Sequence, residues 1–199
     1  MDVRQIKPGV QSRQLPTIAA LESGYVAVGN YQYSWASART AVNGEYTGSP
    51  LSVNRYLSAY LYHLHRGVLS FDTSEIGDKE IARAFIRLKV LTATYVEDDW
   101  DNVYLLEGPQ QIPLELSDYG LIFDKTIPVG DILTYDKIVA EDTVDIYLNA
   151  AGLTLINTAG ITKFCLRTRA DIESAASMQG STYIQFYGGD DAPKLFCEV

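Results

Sequence analysis

The sequence predicts an all-β sandwich or barrel behind an extended N-terminal arm, and three observations carry that prediction. From Tyr25 onward, runs rich in Val, Ile, Tyr and Thr alternate with Gly, Pro, Asn and Asp punctuation at intervals of about ten residues. Fourteen tyrosines against two methionines suit pleated, half-buried surfaces better than a helical core. At 199 residues, 47% hydrophobic and 21% charged, the chain can bury one core without staples and is not disordered by composition.

The elements follow in chain order. Residues 1–24 are polar, hold Pro8, Gly9 and Pro16, and show no sustained apolar period. They read as an extended arm with one short turn at "TIAALES". Arg4, Lys7 and Arg13 against Asp2 give the first twenty residues a balance of +2, leaving −11 on the remainder of a chain of net charge −9. Such an arm has too few apolar residues to fold on itself. It needs a surface to lie on, and a neighbouring subunit is the economical one. Residues 25–199 form the sandwich domain, with strands expected at "YVAVGN", "SWASARTAV", "PLSVNRY", "AYLYHLHRGVLSFD", "IARAFIRLKVLTATY", "NVYLLEG", "TVDIYLN", "KFCLRTRAD", "TYIQFYG" and "KLFCEV". One short helix is expected, in "LNAAGLTLINTAG" after Asn149.

The run around residues 81–96 fits a helical stripe and a strand alternation equally well. Its β-branched continuation "VLTATYV" and the preceding "GDK" turn decide for strand. Ala84, Ile86, Leu88 and Val90 then face one way, and Arg83, Phe85, Arg87 and Lys89 the other. The three cations become expected partners of neighbouring carboxylates, or part of a subunit contact.

Charge excludes one class of function, since phosphate binding needs clustered Lys and Arg that this acidic chain lacks. No run of eighteen apolar residues and no apolar signal core occurs, so neither a membrane span nor secretion by that route is expected. The nucleophile-elbow, phosphate-loop and dinucleotide fingerprints are absent, so no catalytic residues are assigned and the chain is expected not to be an enzyme. His63 and His65 share a strand face but lack the third and fourth ligands of a zinc site, so they read as structural. Asp98, Asp99 and Asp101 in "YVEDDWDN" are weak candidates for a structural Ca²⁺, without the spacing of a dedicated loop; no other cofactor is expected. Cys165 and Cys197 lie in apolar runs and read as buried thiols, with a disulfide as the alternative. Tyr31, Tyr33 and Trp35 fall at strand spacing, and Trp100 sits in the acidic loop. These four rings are core, a subunit contact or a sugar-stacking surface.

"HRGVLSFDTSEIGDKEIARAFIRLKV", with "LELSDYGLIFDKTI", "VDIYLNAAGLTLINTAGITKFCLRTRADI" and "YIQFYGGDDAPKLFCEV" in that order, resembles the DNRLRE-type, carbohydrate-binding-module-like domains of secreted bacterial proteins and phage structural proteins. The resemblance implies a two-sheet antiparallel jelly roll. It makes "TSEIGDKE" the turn of a hairpin, and Arg66 and Asp72 structural residues, an arginine pairing with a carboxylate. The expected function is a non-enzymatic structural subunit of a larger assembly: a virion accessory protein that decorates or cements a capsid or tail and is anchored by its arm. Its partners would be copies of itself or a major capsid or tail protein. The alternative is a carbohydrate-binding module or adhesin, extracellular or on a cell surface, that binds a polysaccharide.

Overall fold

The computed structural model describes residues 16–29, 34–58, 61–94, 99–173 and 181–199. Ten strands carry it: β1 (Thr17–Val28), β2 (Tyr46–Gly48), β3 (Ser52–Ser58), β4 (Leu61–Asp72), β5 (Arg83–Thr94), β6 (Val103–Glu107), β7 (Thr143–Tyr147), β8 (Ile161–Thr168), β9 (Thr182–Phe186) and β10 (Lys194–Glu198). Four short helices join them: α1 (Trp35–Thr40), α2 (Asp118–Phe123), α3 (Ala150–Thr154) and α4 (Arg169–Glu173). Every strand pairing is antiparallel.

The ladders close on themselves. β1 pairs β10, β10 pairs β5, β5 pairs β9, β9 pairs β3, β3 pairs β4, and β4 returns to β1. Two long strands make this closure possible by changing partners along their length. β1 gives Thr17, Ile18 and Ala19 to β10 and its later residues to β4, with a bulge between Ala20 and Glu22. β5 gives residues from Arg83 to Lys89 to β10 and β7, then turns through a bulge at Leu91 to pair β9. A bulge bends its strand and increases twist, which is what a strand needs to leave one ladder for another.

The alternation expected for β5 is present: Ala84, Ile86, Leu88 and Val90 are buried while Arg83 and Arg87 are exposed. They join Leu69 and Phe71 of β4, Ile146 of β7, Phe164 and Leu166 of β8, Ile184 and Phe186 of β9 and Leu195 of β10 in the main core. A second cluster lies on the opposite face of β4 and β8, where Val68, Leu106 and Cys165 meet Trp35 and Ala38 of α1, Tyr119 and Ile122 of α2, and Ala170 of α4.

Several expectations are corrected. The segment "SWASARTAV" is helix α1, because Ser34 caps it by accepting from the Ser37 amide and its buried residues Trp35, Ala38 and Arg39 repeat at helical spacing. β4 and β5 are not a hairpin, since they share no ladder. The connection between them is tied to the stretch before β8 instead, with Thr73 Oγ1 contacting Asn157 O, Gly160 O and Thr162 Oγ1, while Ile76 plugs the main core. The arm boundary at residue 24 falls inside β1, so residues 17–24 are strand; Arg4, Lys7 and Arg13 lie outside the described residues. The expected helix after Asn149 is α3, capped by the Asn149 side chain accepting from the Gly152 amide at 3.0 Å.

Candidate functional site

The outer face of β10, β5 and β7 is built by register. Phe85 sits opposite Phe196 on one side and Tyr147 on the other, so three outward aromatic residues line up across three strands. Phe85 and Phe196 are stacked with centroids 4.7 Å apart and planes 4° from parallel; Tyr147 tilts against Phe85 at 5.2 Å and is 47% exposed. The centroid spacing matches the separation of neighbouring strands, so these two rings stand upright and cover each other's faces. Helices α1, α2 and α4 have their main strand contacts with β4, β1 and β8, and the row borders a cleft of about 240 Å³ lined by Arg83, Phe85, Tyr147, Phe196 and Glu198.

Charges frame this row in pairs. Arg83 reaches Glu198 at 2.9 Å, Arg87 grips both oxygens of Asp145 at 2.7 Å, and Lys89 meets Asp191 at 2.8 Å. The Arg87 guanidinium also lies 5.3 Å and 5.1 Å from the Phe85 and Phe196 centroids. The three cations of β5 thus find the neighbouring carboxylates expected of them. Exposed pairs of this kind contribute little to stability, which leaves them available to a partner.

A second aromatic group gathers half-buried Tyr25, Tyr46, Tyr56, Tyr183 and His63 around His65. His65 stacks on Tyr25 at 4.4 Å, and His63 stacks on Tyr56 at 4.2 Å. The tautomer of His65 follows from its neighbours. The Ile184 amide donates to Asn54 Oδ1, so the Asn54 amide group points its N–H at His65 Nδ1, 2.9 Å away. Nε2 then carries the proton and donates to the Tyr46 oxygen at 3.1 Å. Burial, and next the nearby His63, push the His65 pKa down to about 3, so the ring is neutral at pH 7. Burial likewise pushes the Tyr46 hydroxyl up to about 12. His65 is thus hydrogen-bonded through both ring nitrogens, while His63 is held by its stack on Tyr56 and leaves Nδ1 buried without a hydrogen-bond partner among the described residues.

Beneath α1, α2 and α4, one carboxylate holds three guanidinium groups. Asp171 accepts two bonds from Arg66 at 2.9 Å and one from Arg167 at 2.6 Å, with Arg39 3.7 Å away. Burial alone would raise the Asp171 carboxyl, but Arg66 and Arg167 hold it well below the usual aspartate range. The remaining donors go to carbonyls: Arg66 to Tyr119 O and Arg39 O, and Arg167 to Phe123 O and Lys125 O. The carboxylate partner of Arg66 is therefore Asp171. Asp72 is exposed and instead accepts from the Ser74 amide and hydroxyl. Six residues at a strand rise of roughly 3.3 Å place Asp72 about 20 Å from Arg66.

The other expected site residues disperse. Tyr31, Tyr33 and Asp98 lie outside the described residues. Trp35 is buried at the start of α1 against Tyr62, which removes it from any exposed stripe. Trp100 is half-buried with Arg169 stacked over its ring at 4.9 Å. Asp99 is exposed near Arg169, whereas Asp101 is buried and bonded to Arg55 and to the Thr182 hydroxyl. The two remaining Ca²⁺ candidates thus serve different cations, and no group of three metal-ligating side chains occurs among the described residues. Cys165 and Cys197 are buried free thiols in different clusters, pushed up by burial to about 12 and about 11. Sequence reasoning placed Phe85 outward but missed Tyr147, Phe196 and Asp171. The string "RTRAD" carried the one available signal, an Arg and Asp four residues apart.

No family model matches the chain, and no curated protein matches it.

Proposed function

We propose that the chain is a non-enzymatic structural subunit of a larger assembly, in its specific form a virion accessory protein that decorates or cements a capsid or tail. The observation that carries this reading is the outward aromatic row of β10, β5 and β7, against which none of the helices α1–α4 packs among the described residues, inside its frame of ion pairs. A mixed aromatic and arginine surface on a rigid sheet has the composition of a protein contact. The architecture that goes with it is a two-sheet antiparallel jelly roll, with the start of β1, β10, the first half of β5 and β7 in one sheet and the remaining strands in the other. Sugar stacking needs open ring faces. Phe85 and Phe196 each cover one face of the other, and the ring of Trp100 lies under Arg169, so among the described residues the carbohydrate alternative is the weaker one.

The test is the native mass and negative-stain image of the chain purified from its natural source, beside a Tyr147→Ser, Phe196→Ser variant and a glycan array. Recovery of the wild type in regular particles, lost in a variant that still melts cooperatively, is the expected result. Sugar-dependent binding that the variant retains, with no particle, overturns the reading.

A further inference from the structure

We infer that the occupant of the β10, β5 and β7 face is a second copy of this chain, joined across a two-fold axis; the inference rests on the structural-subunit reading. Charge argues for it. The chain carries −9 overall, so two copies repel through most of their surfaces. On this face Arg83, Arg87, Lys89 and Lys194 stand with Glu141, Asp145, Asp191 and Glu198, four cations against four carboxylates and a local balance of zero. It is therefore a surface on which identical acidic chains meet without net repulsion, with an aromatic row to desolvate at its centre. A basic partner, by contrast, would be steered to the acidic remainder of the body. Both signs on one patch also make it self-complementary, as a two-fold contact requires of a surface that meets itself. Arg87 and Asp145 adjoin the aromatic row, and they pair within the chain at 2.7 Å.

Sedimentation velocity over a concentration series tests this, using wild type, Arg87→Glu and Asp145→Lys. Wild type is expected to reach twice the 22.0 kDa chain mass. Each variant alone places an excess of one sign on the face, and is expected to weaken dimerisation by about tenfold or more. An equimolar mixture of the two variants, one face now acidic and the other basic, is expected to dimerise again. Because the native pair is exposed, both variants should fold, and their thermal melts check this. A wild type that stays at 22.0 kDa throughout, or a dimer whose affinity neither variant changes, overturns the inference. A monomer whose incorporation into particles still depends on Tyr147 and Phe196 removes the second copy and leaves the structural-subunit reading standing.

Discussion

Replacing Asp171 by Asn tests the buried charge network that fixes the helical layer onto β4 and β8. Asn keeps the shape of the side chain and removes its charge, leaving Arg39, Arg66 and Arg167 with no carboxylate in contact among the described residues. Arg66 and Asp171 are fully buried, so solvent does not screen the loss. Breaking a buried pair from one side costs about 3–5 kcal/mol. That is a large share of the roughly 5–15 kcal/mol that separates a folded domain from its unfolded chain. At about 2–4 °C per kcal/mol for a chain of this size, the melting temperature should fall by roughly 6–20 °C. Thermal melts followed by circular dichroism at pH 7 are the assay, with urea melts beside them in which the midpoint is expected to drop at unchanged slope. The pH dependence gives an independent sign. The folded carboxyl lies below its ordinary value of 3.8, so its contribution is complete above that value and is lost as pH falls beneath it. The gap between wild type and variant should therefore close in acid. A variant that melts within about 2 °C of wild type at pH 7 would falsify the assignment of Asp171 as the hub.

Four further outcomes are expected. Because His65 is held at about 3 while the unfolded ring titrates near 6.5, its burial should by itself lower stability by about 1.4 kcal/mol per pH unit between pH 6.5 and about 3, a contribution that His65→Gln removes from the slope of urea melts compared at pH 7 and 5. Asp72→Ala removes only an exposed turn contact to Ser74 and should leave the thermal melt unchanged; a clear drop would return Asp72 to a structural role. A Cβ at Gly152 would lie 2.0 Å from the Val129 carbonyl oxygen, so Gly152→Ala should cost roughly 1–3 kcal/mol in the same melts. Cys165 and Cys197 should resist alkylation at pH 8 until urea unfolds the chain, and fast labelling of native protein would contradict their burial.

Which parts of the molecule were legible follows from the range of the forces that set them. The alternation of β5 and the Asn149 cap of α3 are local, and both could be read directly from residue order. Helix α1 was not, because Trp35 continues the i, i+2 spacing of Tyr31 and Tyr33 and so reads as strand, and the Ser34 cap that decides is one hydroxyl. Helix α2 is set by packing: Gly120 lies so close to Val42 that a Cβ there would meet its carbonyl oxygen at 2.3 Å, and the Tyr119 hydroxyl bonds to Ala38 O. A glycine that weakens a helix in isolation is here what admits it to its neighbours. The outer face of β10, β5 and β7 was half legible, since Phe85 and the cations of β5 were placed outward. Their meeting with Tyr147 and Phe196 depends on ladder register between segments far apart in the chain, which residue order does not encode locally.

The distribution of positive charge ties these results together. Of the chain's 16 Lys and Arg residues, Arg39, Arg55, Arg66 and Arg167 are buried, where they bond to Asp101, Asp171 and helix-end carbonyls. Those four serve the fold, and no partner can reach them. Among the remaining twelve, Arg4, Lys7 and Arg13 belong to the first fifteen residues, and four more share the single face of β5 and β10. An acidic protein that concentrates its accessible cations in this way presents few surfaces on which another acidic surface can settle. Added salt should then act in two directions, screening the repulsion between the acidic bodies while weakening the pairs at the face. Dimerisation that passes through a maximum with ionic strength, in place of a steady rise, is the signature of that competition.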